Sequence, residues 1–419
     1  MMTDADKKFK PLLYNRNFIL FLITRSCNVI GVQIVTVAVG WYVYQLTRDP
    51  LDLGYIGLAQ FAPSLALFLV AGYVSDKYDR RMTIVVSNVI HLVVVFLLLG
   101  VSSSNWGGIK TILLILVIHG IARTFFHTAA QAILPNIVAS DVFPNAVAYS
   151  SSVNKAAQLI GPALGGVLLA LSEDWAYYVA GFSFLLAVCA SIVMSGQLKQ
   201  KSADRITLTR MLSGFSYVWQ NKVVLGAVSI DLFAVLLGGV MGLLPIYASD
   251  ILGVGPDGLG LMRAMPGIGA LLMGLALAQI AQPRYVGATM FITLALFGAS
   301  IVIFSLSKVF WVSLAALAIY GASDMVSVYI RLTLVQLATP DEMRGRVSAV
   351  NSISINASNE LGDFRAGLMA SGFGTVPAVL IGGIATFAVV GVWVKVFPGL
   401  VKIDRFDDAK KINNLRISL

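Results

Sequence analysis

A chain of 419 residues that is 58% hydrophobic and only 12% charged, with a mean hydropathy of +0.83, lies outside the range of soluble domains. That composition describes a polytopic membrane protein, and the formal net charge of +9 does not signify nucleic-acid binding until the positions of the bases are known. Cys27 and Cys189 both fall inside apolar runs, so nothing supports a disulfide framework and both are expected as buried thiols.

At roughly 20 apolar residues per crossing, the chain has room for about twelve helices. In chain order the apolar runs predict them at 17–46, 53–74, 82–101, 110–130, 146–171, 176–195, 222–248, 258–280, 286–306, 310–337, 347–371 and 375–397. The first run is too long for a cleaved leader and ends in no small-residue cleavage site, so it is expected as an uncleaved anchor. The bases sort to one side of this pattern. Lys77, Arg80, Arg81, Arg344 and Arg346 lie with both ends of the chain, while Arg48, Lys110 and Lys308 lie opposite. The positive-inside rule then places both termini in the cytoplasm. The excess of positive charge is thereby topological and does not imply a nucleic-acid partner.

The polar connection 197–221 divides an N-terminal bundle, 1–196, from a C-terminal bundle, 222–400, with a cytoplasmic tail at 401–419. Within the connection Leu208, Met211, Leu212, Phe215, Val218 and Trp219 recur at helical spacing, which predicts an amphipathic helix on the inner membrane surface. The two halves repeat one another. Asn15-Arg16 corresponds to Asn221-Lys222, Arg25 to Asp231, Leu53-Gly54 to Leu259-Gly260, Asp141 to Asp341 and Gly161 to Gly362. The fold class is therefore all-α, with twelve transmembrane helices in two pseudo-symmetric six-helix bundles.

Three motifs stand out. The turn after the second predicted helix carries Gly72, Asp76, Arg80 and Arg81, a small residue and an acid beside two bases. A pair there can form in one conformation and break in another, which makes it a candidate conformational latch. Its counterpart in the second half, Ala278 to Arg284, has Gln282 in place of the acid. The fifth predicted helix carries Gly161, Pro162, Gly165 and Gly166, which kink it and permit close packing. The fourth carries Arg123, flanked by His119 and His127 on one face, a stripe able to relay protons or hold a carboxylate but more often formed by packing residues. His91, in the third predicted helix, is read in the same way.

Together these motifs resemble the major facilitator superfamily. The segments Leu58 to Phe61, Gln131 to Asn136, Asp231 to Gly239 and Pro340 to Val347 are similar to its bacterial proton-driven drug and siderophore exporters, the branch that includes enterobactin exporters. The resemblance implies the major facilitator fold, a functional monomer in the bacterial cytoplasmic (inner) membrane, and antiport through the Gly-Pro motif. Asp79 stands where much of the superfamily has glycine, and Arg365 stands where an acid would be expected.

Ionisable residues within the bilayer are costly and mark function by default. Those of the first half are all basic, namely Arg25, Arg123 and Lys155, while the acids Asp231, Asp324, Glu360 and Asp363 all lie in the second half, with Arg263, Arg331 and Arg365. The expectation is a central cavity with a basic wall facing an acidic one. Asp231, Asp324, Glu360 and Asp363 are the proton-coupling candidates, the first two ranked higher. Arg25, Arg123, Lys155 and Arg331 are the substrate-binding candidates. Arg25 and Asp231 occupy equivalent places and are expected to pair. The implied partners are protons, the lipid bilayer and an amphipathic or anionic small molecule carried outward. No metal ligand set, phosphate-binding loop, catalytic residue or cofactor site is read. An importer or facilitator of the same fold, or a membrane sensor or scaffold without turnover, is the alternative.

Overall fold

In the computed structural model, residues 12, 14–104, 107–139, 141–195, 208–279 and 284–408 are described, with side chains in the linker helix from residue 213 onward. Linker residues 197–207, tail residues 409–419, Gln282, and the side chains of Leu208, Met211 and Leu212 lie outside that description. The membrane helices are α1 (Arg16–Thr47), α2 (Pro50–Lys77), α3 (Arg80–Ser104), α4 (Gly108–Ile137), α5 (Phe143–Leu171) and α6 (Glu173–Val193). They continue with α7 (Lys222–Ile251), α8 (Gly255–Gln279), α9 (Val286–Leu306), α10 (Phe310–Leu337), α11 (Asp341–Phe373) and α12 (Thr375–Val396). Eleven of these, among the described residues, are long and apolar enough to cross a membrane. The other is α11, whose 33 residues include Glu360, Asp363 and Arg365. A helix of that polarity needs protein rather than lipid around it.

Asparagines set the starts of two equivalent helices. Asn15 Oδ1 accepts the Phe18 N–H at 3.2 Å, and its Nδ2 donates to the Ile137 carbonyl at the end of α4, 2.9 Å away. Asn221 repeats the arrangement, accepting from Val223 and Val224 and donating to the Ala338 carbonyl at the end of α10. Each side chain satisfies orphan groups at two helix termini at once. The correspondence read in the sequence is thus one device built twice.

Contacts divide the chain into two units. The first comprises Met1–Arg48, Leu58–Ile206 and Gly255–Ala264, and the second Asp49–Gly57, Thr207–Val254 and Met265–Leu419. Each half therefore lends the start of one helix, α2 or α8, to the other unit. Phe18, Phe21, Ile84, Phe126 and Ile133 lie in the core of the first unit, and Val224, Ile230, Met290, Ile330 and Leu334 in that of the second. The two thiols depart from the expected burial, since Cys27 is half-buried and Cys189 is exposed on α6. An apolar run shields a residue from water, but whether protein or lipid covers it depends on which way the helix faces.

The glycines of α5 face two neighbours. A Cβ on Gly161 would lie 2.6 Å from Gln33 Cβ, and one on Gly165 would lie 3.2 Å from the Ile34 Cα, both on α1. Gly166 faces the lent segment instead, where its Cβ would fall 2.5 Å from the Gly260 Cα. In the second unit a Cβ on Gly367 would come 3.0 Å from the Gly54 Cα. The Leu53-Gly54 and Leu259-Gly260 repeat is therefore a pair of backbone crossings that admit no side chain. Gly72 is different, because a Cβ there meets nothing within 4 Å. No neighbouring helix makes a close approach at that position.

The linker helix (Leu208–Gln220) rests on the second unit. Arg346 donates to Ser213 at 3.1 Å and Tyr217 to the Ala338 carbonyl at 2.7 Å, while Trp219 is 77% exposed. An apolar residue this open, beside a buried Val218, suits a helix seated at a bilayer surface.

Gly166→Leu is expected to lower the melting temperature of the detergent-solubilised protein, by overpacking of about 1–3 kcal/mol. Gly72→Leu should leave it unchanged. Equal melting of the two variants would remove the distinction drawn between these glycines.

Candidate functional site

The first unit ties its charges to helix ends and to neutral polar groups. Arg80 is buried and donates to the Ser75 carbonyl at 3.1 Å, and to the Ala132 carbonyl and Asn136 Oδ1 at 2.7 and 2.6 Å near the end of α4. Arg81 donates to the Met194 carbonyl at the end of α6. Both guanidinium groups thus meet the negative ends of helix dipoles. Asp76 lies 3.6 Å from Arg80 but is half exposed, and Asp79 Oδ1 accepts from the Arg81 N–H at 2.9 Å. The bases of the turn are committed to the unit, and its acid is open to solvent.

Arg25, half-buried on α1, donates to Ser150 Oγ at 2.6 Å and Asn154 Oδ1 at 3.3 Å on α5. Ser150 and Asn154 stand four residues apart, one helical turn, and hold the guanidinium without neutralising it. Lys155 is exposed and donates to Gln158 at 3.3 Å. Arg123 and His127 are likewise exposed, and His127 pairs with Gln131 on its own helix at 3.2 Å. His119 turns instead toward His91 on α3, with Nδ1 to Nδ1 at 3.0 Å and both rings fully buried. The stripe of α4 therefore divides into an inner histidine pair and an outer Arg123 and His127. The His91–His119 pair was not legible in the sequence, because α3 and α4 had to be packed before it existed.

In the second unit, Asp231 of α7 forms an ion pair with Arg331 of α10. The side chains are 5% and 1% exposed. This corrects the expected pairing of Asp231 with Arg25, since Arg331 on the packed neighbour reaches the carboxylate first. Asp324 and Glu360 are part-buried and each has interaction partners.

Asp363 and Arg365 act on backbone. The 222–248 run is not one regular helix: the α-helical stretch ends at Gly238, Gly239 and Val240 leave helical geometry, a 3₁₀ turn covers Met241–Leu243, and a π turn covers Tyr247–Ile251. Pro245 provides a physical reason, because it lacks an N–H and its ring clashes with the carbonyl four residues back. Asp363 Oδ1 accepts the Gly242 N–H at 2.9 Å, and Arg365 Nη2 donates to the Gly239 carbonyl at 3.3 Å. Arg365, unexpected from the resemblance, thereby has a structural partner. The Gly238-Gly239 pair and Pro245 were the signals of this break in the sequence.

Comparison with known proteins places this geometry. Residues 7–415 match the family model described as transmembrane secretion effector. The multidrug efflux pump Tap of Mycolicibacterium fortuitum is 26% identical over 390 residues, 85% of this chain and 92% of that protein. The enterobactin exporter EntS of Citrobacter koseri is 22% identical over 369 residues, 84% of each chain. The solved nucleoside transporter NupG superposes with a TM-score of 0.68 at 14% identity, covering 91% of this chain and 99% of that one, which shows the fold alone.

Asp231→Asn is expected to destabilise the protein by about 3–5 kcal/mol, because it leaves the Arg331 charge buried and unpaired. Asp231→Leu combined with Arg331→Met should recover most of that loss in the same thermal unfolding assay. A single variant that melts with the wild type would dismiss the pair as a structural element.

The chain is a multi-pass membrane transporter and belongs to the transmembrane secretion effector family of the major facilitator superfamily.

Proposed function

We propose that the protein exports an amphipathic, anionic small molecule across the bacterial cytoplasmic membrane in exchange for protons, by alternating access and as a monomer with both termini in the cytoplasm. The observation that carries this reading is the buried ion pair of Asp231 and Arg331. The carboxylate and the guanidinium neutralise one another away from water, and one proton taken up by the carboxylate leaves the guanidinium uncompensated. One proton thus changes the net charge of the second unit by one and alters which conformation that unit favours. Asp324 and Glu360 are the further carriers, each in a helix of the same unit.

The substrate reading rests on the first unit. Arg25 is held by neutral groups alone among its described hydrogen bonds, and Arg123 and Lys155 are exposed on α4 and α5. Guanidinium and ammonium groups recognise carboxylate, phenolate or phosphate, and the surrounding apolar surface suits an amphipathic body. Efflux of drugs by Tap and of enterobactin by EntS supports outward transport of molecules of this kind. Asp76, Arg80 and Arg81 form the latch between conformations, with half-exposed Asp76 as the member free to change partner.

Uptake of a panel of siderophores and lipophilic drugs into inverted vesicles, with and without an imposed pH gradient, tests the scheme. Wild-type protein should accumulate substrate only with the gradient, and Asp231→Asn should abolish the dependence on it. Arg25→Ala should raise the half-saturating substrate concentration at least about tenfold, the loss of one charge-assisted contact. Accumulation that ignores the gradient, or an Asp231→Asn variant that couples normally, would reject proton exchange through Asp231.

A further inference from the structure

The break in α7 is a place where backbone hydrogen bonding changes hands. In an uninterrupted helix the Gly242 N–H would bond to the Gly238 carbonyl and the Gly239 carbonyl to the Leu243 N–H. Here the Leu243 N–H turns to the Val240 carbonyl at 3.1 Å, and the other two groups are taken by α11. An acceptor and a donor two residues apart on α11, Asp363 and Arg365, meet a freed donor and a freed acceptor on α7. Opposite charges answer opposite ends of the peptide dipoles.

The close approach this requires is built into the backbone. A Cβ on Gly239 would lie 3.0 Å from the Gly362 carbonyl carbon, and one on Gly362 would lie 3.0 Å from the Val235 carbonyl oxygen. On α12, a Cβ on Gly382 would lie 2.6 Å from the Leu237 carbonyl oxygen and 3.3 Å from Arg365 Nη2. Arg365 Nε is buried without a hydrogen-bond partner, so the guanidinium holds a spare donor for a rearranged backbone. Beyond the break the chain is anchored separately. The Tyr247 hydroxyl donates to the Ser305 carbonyl of α9 at 3.3 Å, and its ring packs on Phe304.

We infer that Asp363 and Arg365 are positioning residues for transport: they clamp α7 in its broken form and release it when Met241–Ile251 realigns with Lys222–Gly238 during the transport cycle. In the realigned form the Gly242 N–H returns to the Gly238 carbonyl, and Asp363 and Arg365 give up their α7 backbone partners. The broken and continuous forms of α7 then differ by a local exchange of hydrogen bonds, and Pro245, which denies the continuous form one of them, leaves it kinked at that turn. The role needs a carbonyl-type acceptor at position 363 and does not need a proton, which separates it from coupling through Asp231.

The experiment places spin labels at Lys222→Cys and Asp250→Cys, both exposed, in full-length protein with Cys27→Ser and Cys189→Ser, and measures the distance along α7. A continuous helix spaces these positions by about 1.5 Å per residue, and the broken one gives a separate peak. Asp363→Asn keeps an acceptor and should retain the broken peak, with gradient-driven transport within about twofold of wild type. Asp363→Leu and Arg365→Met should shift the ratio of broken to continuous forms at least about tenfold toward continuous, and lower transport with it. A wild-type distance distribution in Asp363→Leu would overturn the clamp. So would loss of coupling in Asp363→Asn with the distances unchanged, which would make Asp363 a proton carrier. Failure of Asp231→Asn to alter coupling leaves the distance result standing, so the two readings fail separately.

Discussion

Hydrocarbon offers neither donor nor acceptor, so a polar group carried into these helices has to find its partner within the protein. The molecule is arranged around that demand. Arg25 is met by Ser150 and Asn154, Asp231 by Arg331, Asp363 by the Gly242 N–H, and Arg80 by the end of α4. These contacts join α1 to α5, α7 to α10 and α11, and α2 and α3 to α4, so polar satisfaction and helix packing select the same neighbours. The small residues of α5, α11 and α12 serve the demand from the other direction, since glycine lets backbone approach backbone where a side chain would hold it off.

The two units meet this demand with different chemistry. Helix ends are handled alike in both, with Asn15 and Asn221 each joining a helix start to the end of another helix. Charges are not. The first unit holds Arg25 with neutral partners and buries a histidine pair, while the second neutralises its buried base with a carboxylate. Duplication explains the shared architecture, and divergence of the intramembrane residues leaves a base held by neutral groups in the first unit and an ion pair in the second. His91 and His119 each leave Nε2 without a partner, and hydrogen bonding between their Nδ1 atoms requires opposite tautomers. That pair fixes the seam between α3 and α4 beside Phe184, whose ring stacks on His91 at 4.9 Å between centroids.

Apolar α9 and polar α11 both pack against protein, with different chemistry. In α9, Met290, Phe291, Leu294, Phe297, Ile301 and Phe304 are buried among the helix's neighbours while Ile292, Leu296 and Ile303 are exposed, so apolar residues occupy both sides. In α11, Asn351 and Ser358 are buried and Glu360, Asp363 and Arg365 are partly so. The breadth of polar partners on α11 follows from its contacts with α7, α12 and the linker helix. The break in α7 belongs beside such a helix, because an interrupted backbone facing lipid would have no means of satisfying its freed groups.

The number and approximate limits of the membrane helices, the internal repeat and the confinement of the intramembrane acids to the second half were all legible in the sequence. Each depends on local hydropathy or on residues compared position by position, and burial in lipid acts on such runs without reference to their neighbours. The locations of Asp231, Arg331 and Arg25 within the helices were legible too, but not their partners. Arg331 lies on a helix distant in sequence from Asp231, and only the packing of α7 against α10 decides that it, rather than the equivalent Arg25, neutralises the carboxylate. The service of Asp363 and Arg365 to the α7 backbone was hidden for the same reason, since a freed N–H and carbonyl have no signature of their own beyond Gly239 and Pro245. Hydropathy determines which residues enter the membrane, and the meeting of helices far apart in the chain determines what each buried charge does there.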